Sequence, residues 1–220
     1  MQSLQKQGKM TEALAILAEH IFHGEVVAGS PRPEVQKALD EVGIFDRWKQ
    51  SNDDFIYPLF TSISKNKSDR LMERTFTIDH TSSCDRTVTL TQKHWFDLTE
   101  RTRVTRLAHD LGLDDKIPTL LPVQGGGDNI QYLRFILPPG TQMLSPAKSG
   151  FSLFENTALY TTIHGYETTK PGTVSTLTIS YRLTGEYCTD KTEFFKQPGL
   201  RNTRILIKKN GQTFYQKFYE

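Results

Sequence analysis

No stretch of the chain approaches the ~18–20 consecutive apolar residues that a bilayer-spanning helix needs. The longest apolar piece near the start, ALAILAEHIF, is interrupted by Glu19 and His20. The opening residues, MQSLQKQGKM, are followed by no apolar run ending in a small-residue cleavage site, so no secretory leader is legible. Two placements remain: a cytosolic chain, or a piece of a longer protein whose anchor lies outside it. Cysteine is scarce, with only Cys84 and Cys188. There is no CxxC and no Cys/His spacing of a zinc finger, which excludes a recognisable zinc signature. The pair fits one disulfide in an oxidising compartment, or two buried free thiols. An excess of charge of either sign is also missing, with 27 basic against 25 acidic residues and a net charge of +2. That balance argues against nucleic acid or an anionic membrane as partner. Gly-x-Ser-x-Gly, HExxH and GxGxxG are all absent. No catalytic residue, metal set or cofactor is therefore nominated.

What the chain has in quantity is β-forming side chains, including 13 Phe and 8 Tyr. Its mean hydropathy of −0.48 reads as water-soluble, and 220 residues suffice for one large domain or a domain with a helical extension. The first part reads helical. TEALAILAEHIF sets Leu14, Leu17, Ala18 and Ile21 on one face. After Ser30 and the prolines, Val35, Ala38, Leu39 and Val42 continue the helical spacing up to Gly43. Apolar residues then come in clumps (Ile44, Phe45, Trp48, Phe55, Ile56, Leu59, Phe60), as in a docking segment.

From Leu71 the period changes to two. Met72, Arg74, Phe76 and Ile78 alternate with Glu73, Thr75, Thr77 and Asp79, then Val88, Leu90 and Gln92 with threonines, and the pair reads as a β-hairpin. Residues 97–130 read as an excursion holding one short helix, closed by the glycine-dependent turn QGGGDN. Alternation resumes over NIQYLRFILP, FSLFENTALYTTIHGYET, TVSTLTISYRL and TRILIKKNGQTFYQKF, the last with an Asn210-Gly211 hairpin turn. The expectation is a mainly β protein: an antiparallel, Ig-like β-sandwich preceded by a short α-helical segment. Residues 1–60 form the helical segment docking on the sandwich, and 61–220 form the sandwich domain.

His80 and Cys84 suggest a nucleophile pair, but on one strand they would stand roughly 13 Å apart, and Cys84 reads as structural. QGGGDN lacks the residues of a Walker A or EF-hand loop and reads as a tight turn. Asp53-Asp54 and Asp114-Asp115 read as solvated loop charges, and the basic clusters KNKSDR and IKKNG as a solvated loop and a hairpin tip. His20 and His23 share a helix face without a third ligand. Trp95, Tyr132, Tyr160 and Tyr166 are candidates for aromatics exposed on one sandwich face, which would favour glycan contact, although most of them are expected in the core.

Four pieces in order carry a resemblance: EVQKALDEVGIFDRW; the loop Asn66-Lys67-Ser68-Asp69; the strand from Tyr132 to Gly140; and Pro171-Gly172 leading to Tyr181-Arg182-Leu183. Together they resemble the C-terminal part of the bacterial envelope proteins grouped as domain-of-unknown-function family 4012, over roughly residues 10–200. In that family a membrane anchor and a central region similar to the LytR–CpsA–Psr glycopolymer transferases precede this part. The resemblance implies a β-sandwich after a helical segment and a place outside the membrane. It implies anchoring in the full-length protein through a segment absent here.

The resulting expectation is a non-enzymatic extracellular cell-surface module for partner binding or envelope assembly. The alternative is an accessory domain of a cell-wall glycopolymer transferase whose catalytic region lies outside this chain. Partners would be other envelope proteins, self-association through edge strands, or cell-wall glycan, with no nucleic acid and no membrane contact by this fragment itself. The site candidates are a Cys84–Cys188 bridge and loop contacts at Asn66, Lys67, Asp69, Asp128 and Asn129.

Overall fold

The computed structural model describes residues 30–42, 53–145, 150–197 and 199–219. The helix expected over TEALAILAEHIF, the pair His20 and His23, and the clump Ile44, Phe45 and Trp48 lie outside these. The chain divides into two compact units, Met1–Lys49 with Lys196–Leu200 and the last residue, and Gln50–Phe195 with Arg201–Tyr219. In the first unit α1 spans Pro33–Val42. Pro33 sits in the opening turn, where a missing N–H leaves no helical bond unmade.

The second unit is a β-sandwich of two sheets. One runs β6 (Ser152–Asn156), β7 (Thr161–Thr169), β4 (Asn129–Leu137), β1 (Asp54–Ser62), β9 (Thr192–Phe194). The other runs β11 (Gln212–Tyr219), β10 (Thr203–Lys209), β2 (Met72–His80), β3 (Asp85–His94), β8 (Val174–Arg182), β5 (Gln142–Ser145). The strict alternation of β2 and β3 is the alternation of burial: Met72, Arg74, Phe76, Ile78 and His80 face in, as do Arg86, Val88, Leu90, Gln92 and His94. Leu133, Phe135, Leu137 and Ile163 answer from the other sheet. Phe60 and Phe76 meet across the two layers with ring centroids 6.0 Å apart. Each fully buried Val, Leu, Ile, Phe or Met side chain contributes ~1.5–3 kcal/mol of apolar transfer.

Two pairings depart from the antiparallel expectation: β10 lies parallel to β2, and β9 parallel to β1. Parallel neighbours need long connections, and alternation within a strand carries no information about its neighbour's direction. The helical segment also ends earlier than its apolar clumps suggest, because residues 54–60 belong to β1 and to the sandwich. Period two is lost there because both faces of β1 are covered. Asp54, Ile56, Pro58 and Phe60 lie on the face towards the other sheet, while Phe55 and Tyr57 on the opposite face pack against Phe195 at 6.0 and 6.4 Å. Pro58 is tolerated because β9 pairs only with Asp54, Phe55 and Ile56, leaving that side of β1 an edge beyond them.

Between β3 and β4 the chain leaves the sandwich as α2 (Leu98–Asp110) and α3 (Ile117–Leu121). Asp97 caps α2, its side chain accepting from the N–H groups of Thr99 and Glu100. Val104 and Ala108 are buried, while Leu98, Leu107 and Leu111 stay exposed.

Candidate interaction surfaces

At one end of the sandwich the sulfurs of Cys84 and Cys188 lie 2.21 Å apart, at disulfide distance, joining the β2–β3 turn to the segment before β9. Asp54 and Arg86 form a fully buried ion pair beside it, Arg86 Nε donating to Asp54 Oδ2 at 2.8 Å. The Thr192 hydroxyl donates to the same oxygen. Arg86 also donates to the carbonyls of Ser82 at 3.0 Å and of Thr189, so one guanidinium holds both disulfide-linked segments. Burial raises the Asp54 carboxyl above its ordinary range, against the pull of Thr192 and Arg86. His80 is buried on the inner face of β2 with Nε2 2.8 Å from the Thr192 hydroxyl. Burial, with Arg86 nearby, pushes its imidazole down to about 4. Asp54 is therefore not a solvated loop charge. Adjacent strand residues point to opposite faces, and Asp54 takes the inward one. With Asp54 and Arg86 closed to solvent, the cluster fastens chain segments and offers nothing for a substrate to reach.

At the opposite end the nominated loop residues converge. Asn66 Nδ2 donates to the Asp128 carbonyl at 3.1 Å, while its Oδ1 accepts from the Ser68 N–H at 2.9 Å. The Lys67 N–H donates to the Val123 carbonyl at 3.0 Å. Asn129 Nδ2 donates to Ser68 Oγ at 2.9 Å. Asp69 Oδ1 accepts from Gln131 Nε2 at 2.6 Å and from the buried Arg74, whose guanidinium lies 4.7 Å from the centre of the Phe60 ring. Burial lowers the Arg74 pKa, with Asp69 opposing. Gly125 adopts φ 113°, and a Cβ on Gly126 would meet the Leu121 carbonyl and the Phe96 ring at 2.8 Å, so only glycine permits this docking. Of the five, Asn66 and Asp128 bond each other directly, while Lys67, Asp69 and Asn129 bond other residues around them, and together these bonds zip the 66–69 loop to the turn before β4. The reading of KNKSDR as a solvated loop holds for its exposed lysines but not for the buried Ser68.

A different kind of surface lies on the outer face of the five-stranded sheet. Tyr132 on β4 stands opposite Tyr166 on β7, and Arg134 stands opposite His164. The two tyrosine rings lie 5.2 Å apart at 48°. The Tyr132 hydroxyl hydrogen-bonds His164 Nδ1, and the Arg134 guanidinium lies 6.0 Å from the Tyr132 ring. Tyr166 is 62% exposed. At the start of β7 the Tyr160 hydroxyl donates to Glu155 at 3.2 Å, and this carboxylate raises the phenol's pKa. Two of the four nominated aromatics, Tyr132 and Tyr166, therefore meet, while Tyr160 lies towards the other end of β7. The fourth, Trp95, lies apart on the β3–α2 connection, with Lys93 Nζ 3.2 Å from its ring centre and its indole N–H donating to Glu73.

The last surface is β11, the outer strand of the six-stranded sheet. Phe214, Tyr215 and Phe218 are all exposed on it. Lys217 is its only charge, and its ammonium lies 4.6 Å from the centre of the Tyr219 ring. Among the described residues, no three His, Cys, Asp or Glu side chains converge as a metal site, and no helix is long and apolar enough to cross a membrane. No protein-family model, curated protein or solved structure matches the chain.

Proposed function

We propose that this chain is a non-enzymatic cell-surface module that assembles in the envelope by pairing the β11 edge with β11 of a second copy. The aromatic-rich edge, on whose far side no described strand pairs, carries the reading. An edge strand offers a row of N–H and C=O groups to an incoming strand. β11 adds high β-propensity, no proline and a single charge. Self-pairing also has a favoured register. With Gln216 opposite its symmetry mate, each Lys217 stands opposite Tyr215 of the other copy, repeating the cation–π contact that Lys217 already makes with Tyr219. One step along, the two lysines would oppose each other, which like charges disfavour. The Cys84–Cys188 pair supports an oxidising, extracellular compartment, in line with the resemblance to the envelope proteins of family 4012.

Sedimentation velocity over a concentration series tests the assembly. The expected result is a monomer–dimer equilibrium that Gln216→Lys abolishes, because it adds like charge to both sides of the seam. A chain that stays monomeric throughout, or a Gln216→Lys variant that dimerises like the native protein, would sink the reading. A second reading, an accessory domain of a cell-wall glycopolymer transferase acting outside this chain, draws on the tyrosine pair of the other sheet.

A further inference from the structure

We infer that the end of the sandwich interior beneath the 66–69 loop is a binding site for internal water, a small cluster held between the two sheets by Arg74, Gln92, Asn129 and Gln131. The inference is independent of strand pairing at β11, the outer strand of the six-stranded sheet.

The inner faces of the strands change character along their length. Their middle is apolar, with Phe76, Val88 and Leu90 on one sheet and Leu133 and Phe135 on the other. Towards the 66–69 loop the same inward alternation turns polar. Arg74 on β2 stands opposite Gln92 on β3, and Asn129 and Gln131 open β4 on the facing sheet. Asp69 joins the two groups, since it accepts from both Arg74 and Gln131. None of the four side chains is more than 2% exposed.

Each of the four nevertheless carries a buried polar atom without a protein partner: Arg74 Nε, Gln92 Oε1, Asn129 Oδ1 and Gln131 Oε1. Buried polar groups in native proteins are almost always hydrogen-bonded. Four orphans at one place would together cost a large part of a domain's net stability. A bound guest that supplies the missing bonds removes that cost.

The four atoms specify the chemistry of the guest. Three are amide oxygens, which accept, and one is a guanidinium N–H, which donates. An anion would face the three oxygens, while the charge of Arg74 is already matched by Asp69. A cation would face the guanidinium itself. The guest is therefore neutral and both donates and accepts. Water meets this description, and internal waters typically make about three hydrogen bonds to otherwise unsatisfied buried groups.

Oxygen-17 relaxation dispersion of water in solutions of the full chain tests the site, because it counts internal waters that outlast the tumbling of the protein. Gln92→Leu, which removes an acceptor at similar volume, is expected to lose at least one of the native chain's long-lived waters. Val88→Ala, in the apolar middle of the same strand, should keep the native count, since a gap lined by apolar groups stays dry. A native count in Gln92→Leu, or an equal loss in both variants, would overturn the proposal. A crystal structure of the native chain provides a check that needs no variant. Water is expected within hydrogen-bond distance of Gln92 Oε1 and Gln131 Oε1, and its absence at both oxygens would overturn the proposal as well.

Discussion

Asp54 and Arg86 show how far a residue's role depends on its partner. Both are fully buried, and the pair carries five further hydrogen bonds to the chain around it. Removing one partner would leave an uncompensated charge in the interior, the situation that makes buried ion pairs costly to break. His80 beside them gives a pH prediction. Its pKa falls from the ordinary 6.5 to about 4 on folding, so the unfolded chain binds the proton first. Stability is therefore fully present above pH 6.5 and is lost as pH falls towards about 4, with a slope of at most about 1.4 kcal/mol per pH unit. His94, also lowered by burial, adds the same sign, while Asp54, raised by burial, opposes it at the acid end. Urea unfolding between pH 7 and pH 4 should show a shallower decline for His80→Gln than for the native chain. An unchanged slope would refute the assignment.

At the scale of elements, the 66–69 loop and the turn before β4 act as one unit. The loop bonds to Val123 and Asp128, and Asp69 gathers Arg74 from one sheet and Gln131 from the other. Close backbone approach at Gly126 is the condition for this contact. Gly126→Ala places a methyl against a backbone carbonyl and the Phe96 ring, and should cost about 1–3 kcal/mol in urea unfolding. Amide hydrogen exchange should quicken at Lys67, whose N–H bonds the Val123 carbonyl. Native stability in that variant would show that the turn can move aside. The elements themselves were legible where burial is one-sided. β2, β3 and β4 alternate because one face of each meets the facing sheet. β1 was not legible as a strand, because Phe195 covers its second face and Pro58 sits inside it.

At the scale of the whole molecule, the Cys84–Cys188 pair closes a loop across 104 residues. By chain entropy such a link stabilises by about 4–5 kcal/mol. Reduction, or the double change Cys84→Ser with Cys188→Ser, should lower the unfolding midpoint accordingly. Intact mass of denatured protein should show no alkylation before reduction and two labels after it. Two labels without reduction would mean free thiols and would remove the support for an oxidising compartment.

The sequence by itself determined the class of fold, the hairpin from Met72, the Asn210-Gly211 turn and the candidate pairing of the cysteines. Each of these depends on spacing within a short segment or on the scarcity of a residue type. Asn210 and Gly211 both take the positive φ that such a turn demands. Only the tertiary structure decided that β10 and β9 pair in parallel, that Asp54 meets Arg86 inside the sandwich, and that Tyr132 and Tyr166 share a face. These are contacts between strands far apart in the chain. The alternation of one strand fixes which face a side chain takes, but not which strand will lie beside it.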